Sequence, residues 1–211
     1  MFQLKITTLE SGWKKHLKHF RTVRRKLSGY QDPKIFCLSC SDSRVSVHEI
    51  FDLNAPGSIF EAKNIGGLFS DEARAALVYA LNHLHPEYIM LLHHTHCGGY
   101  MSLETEVESE IRNHMHEYGG GKAKTKVTDY LISNKLNLQK EKTHQLIVEE
   151  GLRMQMQSVD DFLTVHYPQT QEKIKNGEVS LLPLIYDIVS GKVFRVPEKL
   201  EGSENMVREE F

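Results

Sequence analysis

Apolar and polar residues follow one another along this chain in blocks that predict strands and helices. The run YIMLLHH (88–94) is a continuous apolar run, which is typical of a parallel strand buried on both faces. Two earlier strands are predicted at IFCLSC (35–40) and GSIFEAKNI (57–65). Between the second and third strands, Ser70 is a suitable N-cap for a helix over 71–85, which Pro86 ends. Strand, helix and strand in this order indicate a parallel sheet with covering helices.

The rest of the chain is predicted to be mainly helical, with one late pair of strands. Helical segments are expected at 12–28, within 101–140 and at about 142–163. The three glycines at 119–121 are expected to interrupt the second segment as a flexible loop. The segment 180–196 predicts two strands around Ser190-Gly191, most simply a hairpin.

These elements predict the α/β fold class: a mostly parallel central β-sheet with covering helices, an N-terminal helical arm and a late strand pair. The length of 211 residues suits one domain better than two. We therefore expect a single domain over 1–211, with the helical arm at 1–30 and a mobile tail at 198–211.

The charge balance argues against a nucleic-acid-binding protein. The formal net charge is -2 and the pI is about 6.6, whereas general nucleic-acid binding needs a large cationic excess. The basic residues between Lys14 and Lys26 could form a nucleic-acid or membrane patch, but such a run is more often the solvated face of a helix. We expect neither a nucleic-acid partner nor a membrane partner.

The distribution of apolar residues and cysteines favours a cytoplasmic protein. No apolar run approaches the length of a membrane span, and the N-terminal residues lack the features of a signal peptide. The three cysteines are Cys37, Cys40 and Cys97. In a reducing compartment, such a small and odd number of thiols suggests metal binding or catalysis before disulfides.

Candidate metal ligands follow two of the predicted strands. The segment CSDSR (40–44) comes after the first strand, and HTHCGG (94–99) comes after the third. Because parallel strands present their carboxyl ends at one edge of a sheet, both segments should lie together. Cys40 with His94 and Cys97 would give two thiolates, one imidazole and an open fourth position, the pattern of a catalytic zinc site.

Other residues in these segments leave alternatives to this ligand set. Cys37 would complete a closed structural site, although in a strand positions 37 and 40 point to opposite faces. His93 and His96 flank His94 closely, and only spacing to Cys97 favours His94 over them.

Asp42 and Arg44 form either a surface ion pair or a functional pair beside the metal. The Asp42 carboxylate could occupy the open coordination position, which would close the site. Alternatively, it could bind the guanidinium of Arg44 in a bidentate pair, which would leave room for water.

Together these segments resemble the active site of the β-class carbonic anhydrases, with a pattern like that of the plant-type members. The resemblance rests on Cys40-x-Asp42-x-Arg44 followed by His94-x-x-Cys97, and it covers most of the chain from about Gly29 to Val196. It includes Lys63-Asn64-Ile65-Gly66 and the late strand segment. It implies a zinc enzyme that reversibly hydrates carbon dioxide to bicarbonate and a proton through zinc-bound hydroxide, with Cys40, His94 and Cys97 as ligands.

The resemblance also implies roles for residues around the metal. Asp42, held by Arg44, would accept a hydrogen bond from the zinc-bound hydroxide, or serve as the alternative fourth ligand in a closed state. Substrate-binding roles fall on Gln31, Phe60, Ile65, Tyr79 and Gly98. Tyr79 stands where family members insert a tyrosine into the partner subunit's pocket, so a homodimer or dimer of dimers is expected, with carbon dioxide or bicarbonate as the small-molecule substrate.

Two positions depart from the family pattern, and two rival functions stay open. Lys63 replaces the usual arginine, so a bidentate contact at that position is lost. Cys37 stands where one bicarbonate-inhibited bacterial subtype has a tryptophan, and we expect no such regulation. The rivals are hydrolysis of carbonyl sulfide or carbon disulfide on the same scaffold, and a non-catalytic structural zinc protein.

Overall fold

A five-stranded sheet forms the centre of the fold. The structure, a computed structural model, describes residues 6–23, 29–103, 109–196 and 210–211, and within the first helix the side chains of residues 7–18. The strands are β1 (Ile35–Cys40), β2 (Ile59–Asn64), β3 (Tyr88–His94), β4 (Ser180–Tyr186) and β5 (Val193–Arg195). Their order is β2-β1-β3-β4-β5, with the first four parallel and β5 antiparallel to β4. The predicted fold class and late strand pair are confirmed.

Eight α-helices are described, and most of them pack on one face of this sheet. They are α1 (Ile6–Val23), α2 (Val47–Ile50), α3 (Asp71–Tyr79), α4 (Gly98–Met101), α5 (Ser109–Glu117), α6 (Gly120–Ser133), α7 (Lys140–His166) and α8 (Pro168–Lys175). Ser70 caps α3 by accepting a hydrogen bond from the Ala73 N–H, as its sequence position predicts. A π-helical turn, Ala80–Leu84, extends α3 up to His85.

Alternate residues of β1 and β3 enter two separate hydrophobic clusters. Leu38 and Leu91 belong to the large cluster under the helices, which includes residues of α3 and α7. Met90 and Leu92 belong to a smaller cluster on the other face, which includes Val47 of α2. Both faces of these strands are therefore buried, which explains why their sequences are apolar without alternation.

The N-terminal helix α1 is exposed along its described side chains. It begins at Ile6, earlier than the predicted residue 12, and residues 24–28 lie outside the described part of the chain. Leu9, Trp13 and Leu17 form a stripe at helical spacing and are all exposed. No helix in the described ranges is both long and apolar enough to span a bilayer.

The structure differs from prediction at the glycines of 119–121. Gly119 turns the chain with a φ of 97°, and α6 begins at Gly120. Gly120 and Gly121 are buried, because Met115 and the His116 ring occupy the space that their side chains would need. The predicted flexible loop is thus a tight, packed helix start.

The C-terminal tail is described only at its last two residues. Residues 197–209 lie outside the described ranges, so the predicted mobility of 198–211 is untested there. Glu210 pairs with Phe194 of β5, and the Phe211 N–H donates to the Val193 carbonyl at 3.0 Å. The Phe211 ring also meets Phe51 edge-on at 6.3 Å. The last two residues thus lie beside β5, and the mobility of the tail stays a prediction.

Candidate metal centre

Three buried side chains meet at the carboxyl edge of the sheet. Cys40 is the last residue of β1, His94 is the last residue of β3, and Cys97 directly precedes α4. Because β1 and β3 are adjacent and parallel, their ends lie side by side. The ligand atoms of all three residues lie within 4.8 Å of one another, and the two sulfur atoms are 3.9 Å apart. Two sulfurs and one imidazole form a donor set that suits zinc.

The His94 ring is oriented to offer Nε2 to a metal. Its Nδ1 lies 2.9 Å from the Thr95 carbonyl oxygen, and since a carbonyl only accepts, Nδ1 carries the proton and donates. The other nitrogen, Nε2, is fully buried and has no hydrogen-bond partner among the described residues. A buried lone pair without a partner is costly in a purely structural histidine, and it fits a metal ligand.

The two cysteine sulfurs lie close enough to share a hydrogen bond. The hydrogen bond between the two sulfurs lowers the pKa of Cys40 to about 4, with help from the N–H groups of Asp42 and Gly66. The same hydrogen bond, together with burial, raises the pKa of Cys97. The pair therefore favours one thiolate, and a bound cation would displace the remaining proton.

Asp42 is bound to Arg44 beside this group of three ligands. Asp42 Oδ1 accepts from the Arg44 backbone N–H and from Nε, both at 2.9 Å, and Oδ2 accepts from Nη2 at 2.7 Å. These hydrogen bonds hold the pKa of Asp42 well below its usual range. Oδ2 is 3.8 Å from His94 Nε2, so the carboxylate lies near the centre but is directed to the guanidinium. Of the two arrangements open at the sequence level, the structure has the one with Asp42 on Arg44.

The alternative ligands lie elsewhere or have other partners. Cys37 packs in the smaller cluster on the opposite face of the sheet, where burial raises the pKa of its thiol. His93 donates from Nε2 to the Gly67 carbonyl at 3.2 Å, and burial lowers the pKa of His93 to about 4. His96 Nε2 lies 3.3 Å from Glu141 Oε1.

Lys63 contacts the turn that carries Asp42 and Arg44. Its Nζ donates to the Val45 carbonyl at 2.8 Å, while the Val45 N–H donates to the Asp42 carbonyl at 3.0 Å. Lys63 thus serves as a single-point donor to the turn, without the bidentate contact that an arginine could make.

The structure places only some of the predicted substrate residues near the metal centre. Ile65 lies against the ligand segment, because a Cβ on Gly99 would be 2.9 Å from Ile65 Cγ2. Gly98 follows Cys97 at the start of α4, with open space where a side chain would be. These two residues therefore lie close to the proposed ligands of their own chain, and their substrate-binding roles stay predictions.

The other predicted substrate residues lie away from the metal centre of their own chain. Phe60 stacks on Tyr79 at 5.5 Å, and it precedes Asn64, the register partner of Cys40, by four residues. Four strand residues span about 13 Å, so this stack lies well below the carboxyl edge. Gln31 precedes β1, whose last residue is Cys40, and is exposed. The substrate-binding role of Gln31 stays a prediction, since β1 separates this residue from the proposed ligands of its own chain.

Two residues beside the centre were missed in the sequence. The Thr95 hydroxyl donates to Asp187 Oδ1 at 2.8 Å, at the point where β4 ends next to β3. The signal that could have found them is a carboxylate directly after a predicted strand at the same sheet edge.

Comparison with known proteins identifies one family. Residues 35–193 match the family model described as carbonic anhydrase. The chain is 27% identical over 174 residues to the chloroplastic β carbonic anhydrase 5 of Arabidopsis thaliana, covering 78% of this chain and 54% of that relative. It spans about half the length of the plant relatives that it matches.

Solved structures share the fold at lower sequence identity. A β-carbonic anhydrase of Aspergillus fumigatus has a TM-score of 0.75 and 18% identity, covering 92% of this chain and 91% of the other. A β-carbonic anhydrase of Sordaria macrospora, described as tetrameric, has a TM-score of 0.70 and 21% identity, covering 90% and 92%. At this identity the likeness is one of fold.

Proposed function

The chain belongs to the β class of the carbonic anhydrase family, and we propose that it reversibly hydrates carbon dioxide to bicarbonate and a proton. We propose that one zinc ion is held by Cys40, His94 and Cys97. The observation that carries the proposal is the buried His94 Nε2, which lacks a hydrogen-bond partner among the described residues and shares a 4.8 Å cluster with two cysteine sulfurs. When bound, zinc would lower the pKa of a water molecule and so supply a nucleophile near neutral pH.

Asp42 is proposed to orient the attacking water molecule. As an ionised carboxylate it can only accept hydrogen bonds, so a water that contacts Oδ2 must donate to it. The remaining lone pair of that water then stays available for the carbon of carbon dioxide. Arg44 keeps Asp42 ionised and directed through three hydrogen bonds. Arg44 Nη2 also donates to the His96 carbonyl at 3.3 Å, which joins the two ligand segments.

The substrate wall is proposed to come from two copies of the chain. Ile65 and Gly98 would contribute within one chain, while Tyr79 and Phe60, with Gln31, would serve a second copy. Tyr79 is 45% exposed although it stacks on Phe60, and the stripe on α1 is exposed as well. We therefore propose a homodimer or dimer of dimers. Sedimentation analysis tests it, and a monomer at working concentrations contradicts it.

A cytoplasmic location is proposed from the chemistry of the cysteines. The Cys40 and Cys97 sulfurs lie 3.9 Å apart, so an oxidising compartment would favour a disulfide that destroys the metal site. Two plant relatives are described as chloroplastic and mitochondrial. Fluorescence microscopy of a tagged chain in its host tests the location.

Stopped-flow hydration of carbon dioxide, combined with zinc analysis, tests the activity. We expect one zinc per chain, activity that rises with pH through neutrality, and loss and recovery of activity on chelation and zinc return. Zinc bound at one per chain without hydration at any pH would favour a structural zinc protein. Hydrolysis of carbonyl sulfide or carbon disulfide, measured in parallel and found faster, would favour the other rival.

A further inference from the structure

Thr95 lies between two proposed ligands and is held by three hydrogen bonds. Its backbone N–H donates to the Tyr186 carbonyl at 3.0 Å. Its hydroxyl donates to Asp187 Oδ1 at 2.8 Å and accepts from the Ile188 N–H at 3.2 Å. The residue is only 1% exposed, so these contacts are shielded from water. Every polar contact of the Thr95 side chain thus comes from the β4–β5 connection.

Asp187 is itself fixed by that connection. Oδ1 also accepts from the Val189 N–H at 3.2 Å, and Oδ2 accepts from the Ser190 hydroxyl at 2.6 Å. The Asp187 backbone bonds to Lys192 and Gly191, both at 2.8 Å, which closes the hairpin turn. Burial raises the pKa of Asp187, but the hydrogen bonds from Ser190 and Thr95 outweigh it, and the pKa lies below its usual value. Asp187 therefore presents a rigid, ionised acceptor.

A hydrogen bond to the main chain connects Thr95 to the proposed ligand His94. The Thr95 carbonyl is the acceptor of the His94 Nδ1 proton, at 2.9 Å. This contact selects the tautomer with a free Nε2 and sets the rotation of the ring. The following residue, His96, has a left-handed φ of 54°, a strained conformation that persists only where neighbours hold it.

We infer that Asp187, acting through the buried Thr95 hydroxyl, is a positioning residue for the metal ligand His94. The inference rests on the proposed function in that His94 must bind the metal. Without the hydroxyl bond, the Thr95–His96 peptide gains freedom to rotate, and its carbonyl leaves Nδ1. The ring then loses its preferred tautomer and orientation, and the metal is held less tightly. Outer partners of ligating histidines typically contribute about 10- to 100-fold to metal affinity.

Zinc affinity, measured by competition with a chromophoric chelator, tests the inference. Thr95→Val removes the hydroxyl at constant shape and should weaken zinc binding about 10- to 100-fold. Thr95→Ser keeps the hydroxyl and should stay within about threefold of the wild type. Thr128→Val is the matched control, because it makes the same change at an exposed threonine of α6 whose hydroxyl donates to the Lys124 carbonyl, and it should also stay within about threefold.

The spectrum of the cobalt-substituted protein gives a second measure of ligand orientation. Its visible bands should shift in Thr95→Val and not in Thr128→Val. Affinity of Thr95→Val within twofold of the wild type, with an unchanged cobalt spectrum, overturns the inference. So does Thr95→Ser binding zinc as weakly as Thr95→Val, because the hydroxyl would then not be the cause.

Two further variants keep this test separate from protein folding and from the proposed function. If Thr95→Val does not fold, Asp187→Asn carries the test, since it replaces an ionised acceptor with a weaker neutral one. It should weaken zinc binding about three- to tenfold, and unchanged affinity overturns the inference. His94→Ala checks the premise, because wild-type zinc affinity in this variant would show that the proposed ligand set is wrong. If His94→Ala loses zinc affinity while Thr95→Val keeps it, only the present inference is rejected.

Discussion

The metal centre and the predicted substrate wall differ in how completely one chain builds them. The three ligand atoms are buried and lie within 4.8 Å of one another, each at or just beyond a strand end. The wall residues Ile65 and Tyr79 are 41% and 45% exposed, and Tyr79 stands with Phe60 well below the ligand edge. One chain thus supplies all three proposed ligands in a buried cluster, whereas the predicted substrate wall leaves Ile65 and Tyr79 partly exposed.

This difference separates two kinds of structural information. Adjacent parallel strands within one chain bring Cys40 and His94 together, and the Thr95 carbonyl then directs the His94 ring. The wall depends on what covers an exposed surface, which no pattern within one chain specifies. Substitutions in the centre should therefore have large effects that are the same in every assembly state, and substitutions in the wall smaller ones.

Removal of one ligand should have the largest effect. Cys97→Ser should weaken zinc binding by about 300-fold or more, because one of three protein ligands carries its share of a binding free energy of roughly 10 kcal/mol or more. Hydration activity at low zinc should fall with it. Zinc titration and stopped-flow assays measure both.

Cys37→Ala is the matched control for that prediction. Cys37 lies on the opposite face of the same strand, in the smaller hydrophobic cluster. The variant should keep zinc and activity, with only a modest loss of stability from a small cavity. Loss of zinc in this variant would reverse the choice of ligands.

The buried histidine next to the ligand His94, His93, should make the free energy of unfolding depend on pH. Burial lowers the pKa of His93 to about 4, whereas an unfolded histidine titrates near 6.5. Above the unfolded value neither state binds the proton. Between the two values only the unfolded state binds it, so stability falls as pH falls, by roughly 3 kcal/mol in all, or a factor of roughly 100 in the folding equilibrium.

Urea unfolding of the metal-free protein between neutral pH and pH 4 measures this loss. His93→Gln cannot take up the proton in either state, so its stability should decline less steeply than that of the wild type. Parallel curves for the two proteins would show that His93 takes up its proton equally in both states.

The sequence predicts the strands and the side-chain alternation within them, but not contacts between distant segments. The bounds of β1 and β3 agree with the predictions because continuous apolar runs fit only a doubly covered strand. Side-chain alternation likewise puts Cys37 and Cys40 in different clusters. The pairing of Thr95 with Asp187 was not predictable, since 92 residues separate them and only the docking of β4 beside β3 joins them.

Packing between helices could not be predicted from the sequence either. Gly120 and Gly121 were predicted to lie in a flexible loop from their composition alone. Their burial depends on where Met115 and His116 project, which is a property of the folded α5–α6 turn. The helix α8 was missed as well, because its eight residues are too few to show a clear apolar period.

Loss of the Arg44 side chain, which binds Asp42 beside the ligands, should have the next largest effect on activity. Arg44→Ala removes the side-chain hydrogen bonds that direct Asp42, whose Oδ2 is already 3.8 Å from His94 Nε2. Freed from Arg44, the carboxylate can take the open metal position. We expect an unchanged zinc content and a fall in kcat/KM at neutral pH of about 10- to 50-fold, within the usual range for a positioned acid–base group.

Arg44→Lys should give an intermediate value, because a lysine is a point charge that cannot bind both carboxylate oxygens in a fork. Stopped-flow assays with parallel zinc analysis measure both variants. Full activity of Arg44→Ala at neutral pH would remove Arg44 from the proposed machinery.

Truncation of the wall should have the smallest effect and tests whether the open side is used. Tyr79→Ala removes the ring that stacks on Phe60, and it should lower kcat/KM about fivefold with unchanged zinc content, since one apolar contact in a pocket contributes about 1 to 3 kcal/mol at most. Tyr79→Phe keeps the ring and should stay near the wild type. Ile132→Ala, which removes a side chain that is 70% exposed on α6, controls for surface truncation in general.

The dependence on association shows where the ring acts. If the wild type and Tyr79→Ala differ fivefold as oligomers but have equal activity when both are diluted to monomers, the ring acts in a second copy. Equal losses in Tyr79→Ala and Ile132→Ala would instead mean that the exposed tyrosine takes no part in the site, and that the wall is complete without it.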